Sequence, residues 1–189
     1  MLIYVHGFRS SPQSFKAQML AQRMAKAGLA AQYACPALPV SPREAIELLN
    51  QQFSLAASDT LVGSSLGGYY ATWLAEQTGC RAILLNPAIF PARDLAPYVG
   101  PLRTYHDDQP MEFKAEYLDE LNAISVGEIT RPERYCLIAA KGDEVLDWQE
   151  MTARYPASQT RLIEGSDHGL SDFDDHIDTV FAFAGLKQV

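Results

Sequence analysis

The sequence predicts an α/β fold: one parallel sheet covered by helices on both faces. Three observations predict it. The apolar runs are short and continuous rather than alternating, as in strands buried on both sides. Amphipathic segments at helical spacing separate them. The chain has 189 residues, 48% of them hydrophobic and 20% charged, which suits one domain around a single core.

Leu2-Ile3-Tyr4-Val5 is the first apolar run, and His6-Gly7-Phe8 breaks it. Ser11-Pro12 reads as an N-cap followed by proline at the first helical position. Ala17, Leu20, Ala21, Met24 and Ala27 then repeat at helical spacing until Gly28. Residues 30–35 suit a second strand, closed by Pro36 and Pro39. Ser41-Pro42-Arg43-Glu44 is a capping box with proline inside it, so a helix starts there. Residues 59–63 give a third strand, followed by Leu66, Tyr69, Tyr70, Trp73 and Leu74 on one helical face. Ala82-Ile83-Leu84-Leu85 is a fourth strand. The rhythm then lapses and returns at residues 134–140, a fifth strand. Residues 146–154 read as helix and 160–163 as a short sixth strand. The last helix shows Phe173, Ile177, Val180, Phe181 and Ala184 at 3.6 spacing, with Ser171 as its expected cap.

The irregular segment, residues 86–133, holds Phe90, Tyr98, Tyr105, Phe113 and Tyr117 among four prolines at 87, 91, 97 and 101. Long, weakly periodic insertions in compact domains are usually functional. We expect a lid over the C-terminal edge of the sheet, with Phe90, Tyr98, Tyr105 and Phe113 as a substrate-binding wall. His106 with Asp107 and Asp108 suggests a metal site only superficially, since three such residues on one loop are usually solvated, and no metal is expected.

Net charge is −8, and no basic patch is visible, which argues against a nucleic-acid partner. No apolar run approaches the ~20 residues of a membrane span, so none is expected. MLIYVHGF at the start lacks a basic region and a small-residue cleavage site, so no signal peptide is expected. Cys35, Cys80 and Cys136 are far apart and odd in number, as expected of buried reduced thiols in a cytoplasmic protein.

The sharpest local signal is Gly63-Ser64-Ser65-Leu66-Gly67, between an apolar run and a helical pattern. A strand entering a helix through G-x-S-x-G is the nucleophile elbow of α/β-hydrolases. Its three fixed positions recur by chance in roughly one chain of this length in twenty, so the strand–helix context carries the weight. Glycines flank the serine because side chains there would meet neighbouring backbone, and the strained turn lifts the hydroxyl above the sheet. The helix N-terminus behind it offers free N–H groups to a developing oxyanion.

A serine nucleophile needs a base and an orienting acid, which in this fold follow in the order Ser, Asp or Glu, His. Three histidines lie downstream: His106 in the irregular segment, His176 beside an apolar helical face, and His168 in the glycine-bracketed loop Glu164–Gly169. The loop between the last strand and last helix is the place for the base, which favours His168. Asp143, first after the fifth strand and preceded by Gly142, is the preferred acid. Asp147 suits a helix-start charge, Glu144 should point away from Asp143, and Asp167 suits a solvated loop charge. The N–H groups of Leu66 and Phe8 are the expected oxyanion donors. His6 precedes the serine, so its expected work is holding its loop by hydrogen bonds.

HGF near the start, GSSLGG, LLNPA, KGDEVLD and EGSDHG occur in the order seen in the small bacterial YqiA-type esterases of the α/β-hydrolase superfamily, and the chain resembles them over nearly its whole length. That resemblance implies Ser65 as nucleophile, Asp143 as acid and His168 as base. It implies a small-molecule acyl ester or thioester as substrate, without a cofactor. With the first strand beginning at residue 2, the antiparallel strands usual at the start of the superfamily fold are not expected here, and about six strands, all parallel, are expected.

Overall fold

A computed structural model describes residues 1–186. In chain order the elements are β1 (Leu2–Val5), α1 (Phe15–Lys26), β2 (Tyr33–Ala34), α2 (Pro42–Gln52), β3 (Thr60–Ser64), α3 (Leu66–Thr78), β4 (Arg81–Leu85), α4 (Pro91–Leu95), β5 (Gly100–Arg103), β6 (Pro110–Phe113), α5 (Glu116–Ala123), β7 (Tyr135–Ala140), α6 (Trp148–Arg154), β8 (Gln159–Ile163) and α7 (Ile177–Ala184). Six strands form one sheet in the order β2-β1-β3-β4-β7-β8, with every pairing parallel.

Alternation along each strand divides the core into two layers. Ile3, Val5, Leu61, Leu84 and Leu137 face one side, where α2, α3 and α6 supply Leu49, Leu74 and Met151. Leu2, Tyr4, Val62, Ile83 and Ile138 face the other, against Leu20 and Met24 of α1 and Val180 and Phe181 of α7. Both layers are apolar, which is why the central strands read as unbroken apolar runs. Among the described residues no helix is long and apolar enough to cross a membrane.

Several boundaries differ from the sequence reading. The first helix starts at Phe15 rather than at Pro12, because Ser11 closes a local turn instead, accepting from Gln13 N–H at 3.1 Å. The second strand is only Tyr33–Ala34, preceded by a 3₁₀ turn at Ala30–Gln32. The last helix begins at Ile177 after a 3₁₀ turn over Phe173–His176, so Ser171 does not cap it. Ser41 does cap α2, accepting from Glu44 N–H at 3.2 Å. Cys80 and Cys136 are buried while Cys35 is only half-buried, and burial pushes the thiols of Cys35 and Cys136 up to about 12 and about 11.

The segment without rhythm is structured. It carries the short helix α4, the antiparallel hairpin β5–β6 and the helix α5. Leu95, Phe113, Leu121 and Ile124 from it join the α2/α3/α6 layer of the core.

Candidate active site

β3 turns into α3 at Ser65, which has φ 54° and ψ −121°, a backbone state that L-residues rarely hold. The turn is tight on both sides. A Cβ at residue 63 would collide with the carbonyl of Gly67, and one at residue 67 with the carbonyl of Val5. Backbone bonds fix the strained residue: Ser65 N–H donates to Leu85 O at 3.0 Å, and its carbonyl accepts from Gly68 and Ala88.

The hydroxyl of Ser65 lies 3.1 Å from His168 Nε2. His168 Nδ1 lies 2.8 Å from Asp143 Oδ2, a carboxylate with no exposed side-chain surface. The other oxygen of Asp143 accepts from the N–H groups of Val145 and Leu146, both at 2.8 Å. That carboxylate is therefore held by backbone on one edge and directs the imidazole tautomer with the other. The three residues come from the turns after β3, β7 and β8, all at the carboxyl ends of strands in the one parallel sheet.

The histidine is positioned by two side chains to which the sequence reading gave no role there. Asn86, fully buried at the end of β4 with φ 42°, donates to the carbonyls of Asp167 and His168 at 3.0 and 3.1 Å. Its Oδ1 accepts from Ala140 N–H at 2.8 Å, which ties β4, β7 and the histidine loop together. Asparagine tolerates positive φ better than other side-chain-bearing residues, and that preference is the one sequence signal at this position. Glu144 Oε2 accepts from His168 N–H at 3.0 Å. Asp167, half-buried, also closes the following turn by accepting from Ser171 N–H at 2.9 Å. Asp147 caps α6 through Gln149 N–H. His176 is buried and bonds Asp172, away from Ser65.

The loop after β1 passes directly beside the serine, where a Cβ on Gly7 would stand 3.1 Å from Ser65 Cβ. His6 fixes that loop. Its Nε2 accepts from Leu38 N–H at 3.1 Å while Nδ1 faces Gly7 O at 3.0 Å, and burial lowers its pKa. Phe8 and Leu66 flank Ser65 in a cleft of about 280 Å³, walled by Ala88, Pro91, Leu95, Tyr98, Tyr105, Val145 and Leu146. Of the expected aromatic wall, Tyr98 and Tyr105 are present in it. Phe113 is not: it has no exposed surface and supports the ring of Phe8 from below, centroids 5.1 Å apart. Phe90 lies off this cleft, half-exposed, with the Arg93 guanidinium over its ring. Such an arrangement can deprotonate a hydroxyl, attack a carbonyl and bind an apolar group beside it.

The model of the uncharacterised protein family UPF0227 matches residues 1–185, and the chain belongs to that family, the YqiA type. Solved structures of similar fold include a protein of Agrobacterium vitis S4 (TM-score 0.74, 20% identity, 97% of this chain and 87% of that one). Mouse alpha/beta hydrolase domain-containing protein 10 is similar at a TM-score of 0.63 and 16% identity, over 95% of this chain and 90% of its own. Est1E of Butyrivibrio proteoclasticus, solved with ferulic acid bound, is similar at 0.67 and 15%, over 97% and 85%. The fold is that of the α/β-hydrolases.

Proposed function

We propose that this member of the UPF0227 family is a serine hydrolase that cleaves acyl esters, of the carboxylesterase type, with acyl thioesters as substrates of the same chemistry. One observation carries the reading: the serine on a strained strand–helix turn is in line with an imidazole that a buried carboxylate holds from behind. The esterase domain of a Rhodothermus marinus protein shares this fold, which supports the choice of reaction. His168 Nε2 takes the proton of Ser65 as Oγ attacks the substrate carbonyl carbon. The N–H groups of Phe8 and Leu66 receive the oxyanion. Collapse of the tetrahedral intermediate expels the alcohol or thiol, which leaves with the proton from His168. Water then adds to the acyl-enzyme with His168 as base, releasing the acid and regenerating Ser65. No cofactor takes part in these steps. Residues 86–133 cover the cleft as a fixed cap whose Pro91, Leu95 and Tyr98 hold the acyl group.

The test is labelling with a fluorophosphonate, read by mass spectrometry. A single adduct on Ser65, lost in a folded His168→Ala variant, is expected, followed by turnover of p-nitrophenyl esters and its abolition in Ser65→Ala. A folded protein that takes no label and turns over no ester would instead be a binding protein on a hydrolase scaffold.

A further inference from the structure

A second cleft, of about 320 Å³, reaches Ser65 and His168 from the side of α1. The lid-side cleft has a carboxylate, Asp94, on its wall, whereas this one has an ammonium. Ser10, Ser14 and Lys16 contribute polar groups to it, beside Gly7, Phe15 and Gly169. Lys16 is the unusual member. It is only 6% exposed, and its ammonium donates to the carbonyl of Gly169, next to His168. Among the described residues no carboxylate comes within ion-pair distance of it; Asp167 and Asp143 act on it only at longer range. It stands in the first turn of α1, where the helix dipole also disfavours a cation. A buried ammonium without a carboxylate in contact is costly by burial and by dipole, and neither α1 nor the core needs it, since Leu20 and Met24 supply the apolar face. The uncompensated charge opens onto a cavity that shares the nucleophile and the base.

We infer that this cleft is the leaving-group subsite, and that Lys16 binds an anionic group (carboxylate, phosphate or sulfonate) carried by the alcohol or thiol of the substrate. The inference rests on the hydrolase reading above and adds the substrate class. The lid-side cleft, walled by Pro91, Leu95, Tyr98 and Leu146, holds the acyl part. The two clefts meet at Ser65, with Tyr105 lining both. An anion beside Lys16 completes the missing ion pair with a charge-assisted hydrogen bond, so substrates bearing one gain relative to neutral isosteres.

The test compares 4-sulfonatophenyl butyrate with 4-(methylsulfonyl)phenyl butyrate by kcat/KM, each value divided by the ester's rate constant for hydroxide hydrolysis so that the difference in leaving-group acidity is removed. The wild type at pH 6.5 is expected to favour the sulfonate by about tenfold. In Lys16→Met the ratio should fall to near unity, and because both esters use the same Ser65 and His168, any general loss cancels. The wild type supplies an independent arm that needs no variant. Burial pushes the Lys16 ammonium down to about 8, with the negative charges of Asp167 and Asp143 opposing the shift. The sulfonate preference should therefore fade as pH rises through about 8, while His168, which also lines the cleft, acts on both esters alike. Turnover of the neutral ester with no sulfonate preference at any pH overturns the subsite and leaves the hydrolase reading standing. So does a preference that survives in Lys16→Met, or a greater preference for a carboxylate placed on the acyl chain. A protein that neither labels at Ser65 nor turns over either ester overturns both.

Discussion

At Ser65 the chain holds a side-chain-bearing residue where glycine fits best, and the geometry of the nucleophile depends on that strain. Strain of this kind costs about 1–3 kcal/mol. Ser65→Gly should therefore unfold at a free energy about 1 kcal/mol higher than Ser65→Ala, although glycine is the more flexible residue in the unfolded chain. Equal or lower stability of the glycine variant in urea unfolding would show that the turn is not strained. Asn86 acts differently, through three hydrogen bonds and full burial. Asn86→Ala leaves Ala140 N–H and two carbonyls without their partner, at a cost of about 3 kcal/mol in unfolding free energy. Because two of those bonds hold the histidine loop, fluorophosphonate labelling of Ser65 should slow by about tenfold in the folded variant. A stability loss with unchanged labelling would make Asn86 a purely structural staple. The contrast explains what the sequence shows at this scale. The environment of Ser65 is local, a serine between two glycines at fixed spacing within five residues, so it is legible. The partners of Asn86 and Glu144 lie 24 to 82 positions away in the chain, and no short motif records them.

Among the elements, the loop after β1 depends on a neutral imidazole. His6 Nε2 accepts a hydrogen bond from Leu38 N–H, which a protonated ring cannot do. Burial lowers the folded-state pKa of His6 below its ordinary 6.5, so in the window beneath that value the unfolded chain binds the extra proton first. Stability from this site is complete above about pH 6.5 and declines as pH falls through the lowered folded value. The unfolding free energy of the wild type should thus drop between pH 7.5 and 5.5, and His6→Gln should show a smaller drop. An unchanged pH slope in the variant would assign the loss to other groups. The same scale holds the main misreading of the sequence. Helices and parallel strands of the sheet are legible because burial on both faces and helical spacing are repeated along them, whereas of the three expected caps only Ser41 is one. The hairpin β5–β6 is not, since Pro101 and Pro110 stand inside its strands and only alternate residues face the core. That alternation also decides which aromatics line the cleft: Phe113 ends β6 facing inward and is buried, while Tyr105, 69% exposed, lies in the connection between the strands.

Over the whole molecule, the question is whether residues 86–133 move as a lid on a separate body or fold as part of the core. Phe113, Leu121 and Ile124 are packed with Leu74, Leu84 and Tyr70 in one apolar layer. Polar ties run to three different elements. Tyr69 of α3 donates to Leu121 O at 2.8 Å, Ser41 at the head of α2 donates to Glu120 at 2.6 Å, and Arg93 reaches both oxygens of Glu150 in α6 at 2.8 Å. Exposed ion pairs contribute little, about 0–1 kcal/mol. Buried Phe, Leu and Ile side chains contribute about 1.5–3 kcal/mol each, so the apolar seam dominates. Detaching the insertion would expose that seam together with the underside of Phe8, which rests on Phe113. We therefore expect no separate opening. In native-state hydrogen exchange, the Leu121 and Asn122 amides of α5 should exchange with the same opening free energy as those of Val62 and Gly63 in β3, and the two should fall together with added denaturant. Access to the cleft would then come from side-chain and hairpin-tip motion around Tyr105. Exchange of α5 several kcal/mol below β3 would mean the reverse: the insertion unfolds as a unit, and substrate entry is gated by loss of the seam beneath Phe8.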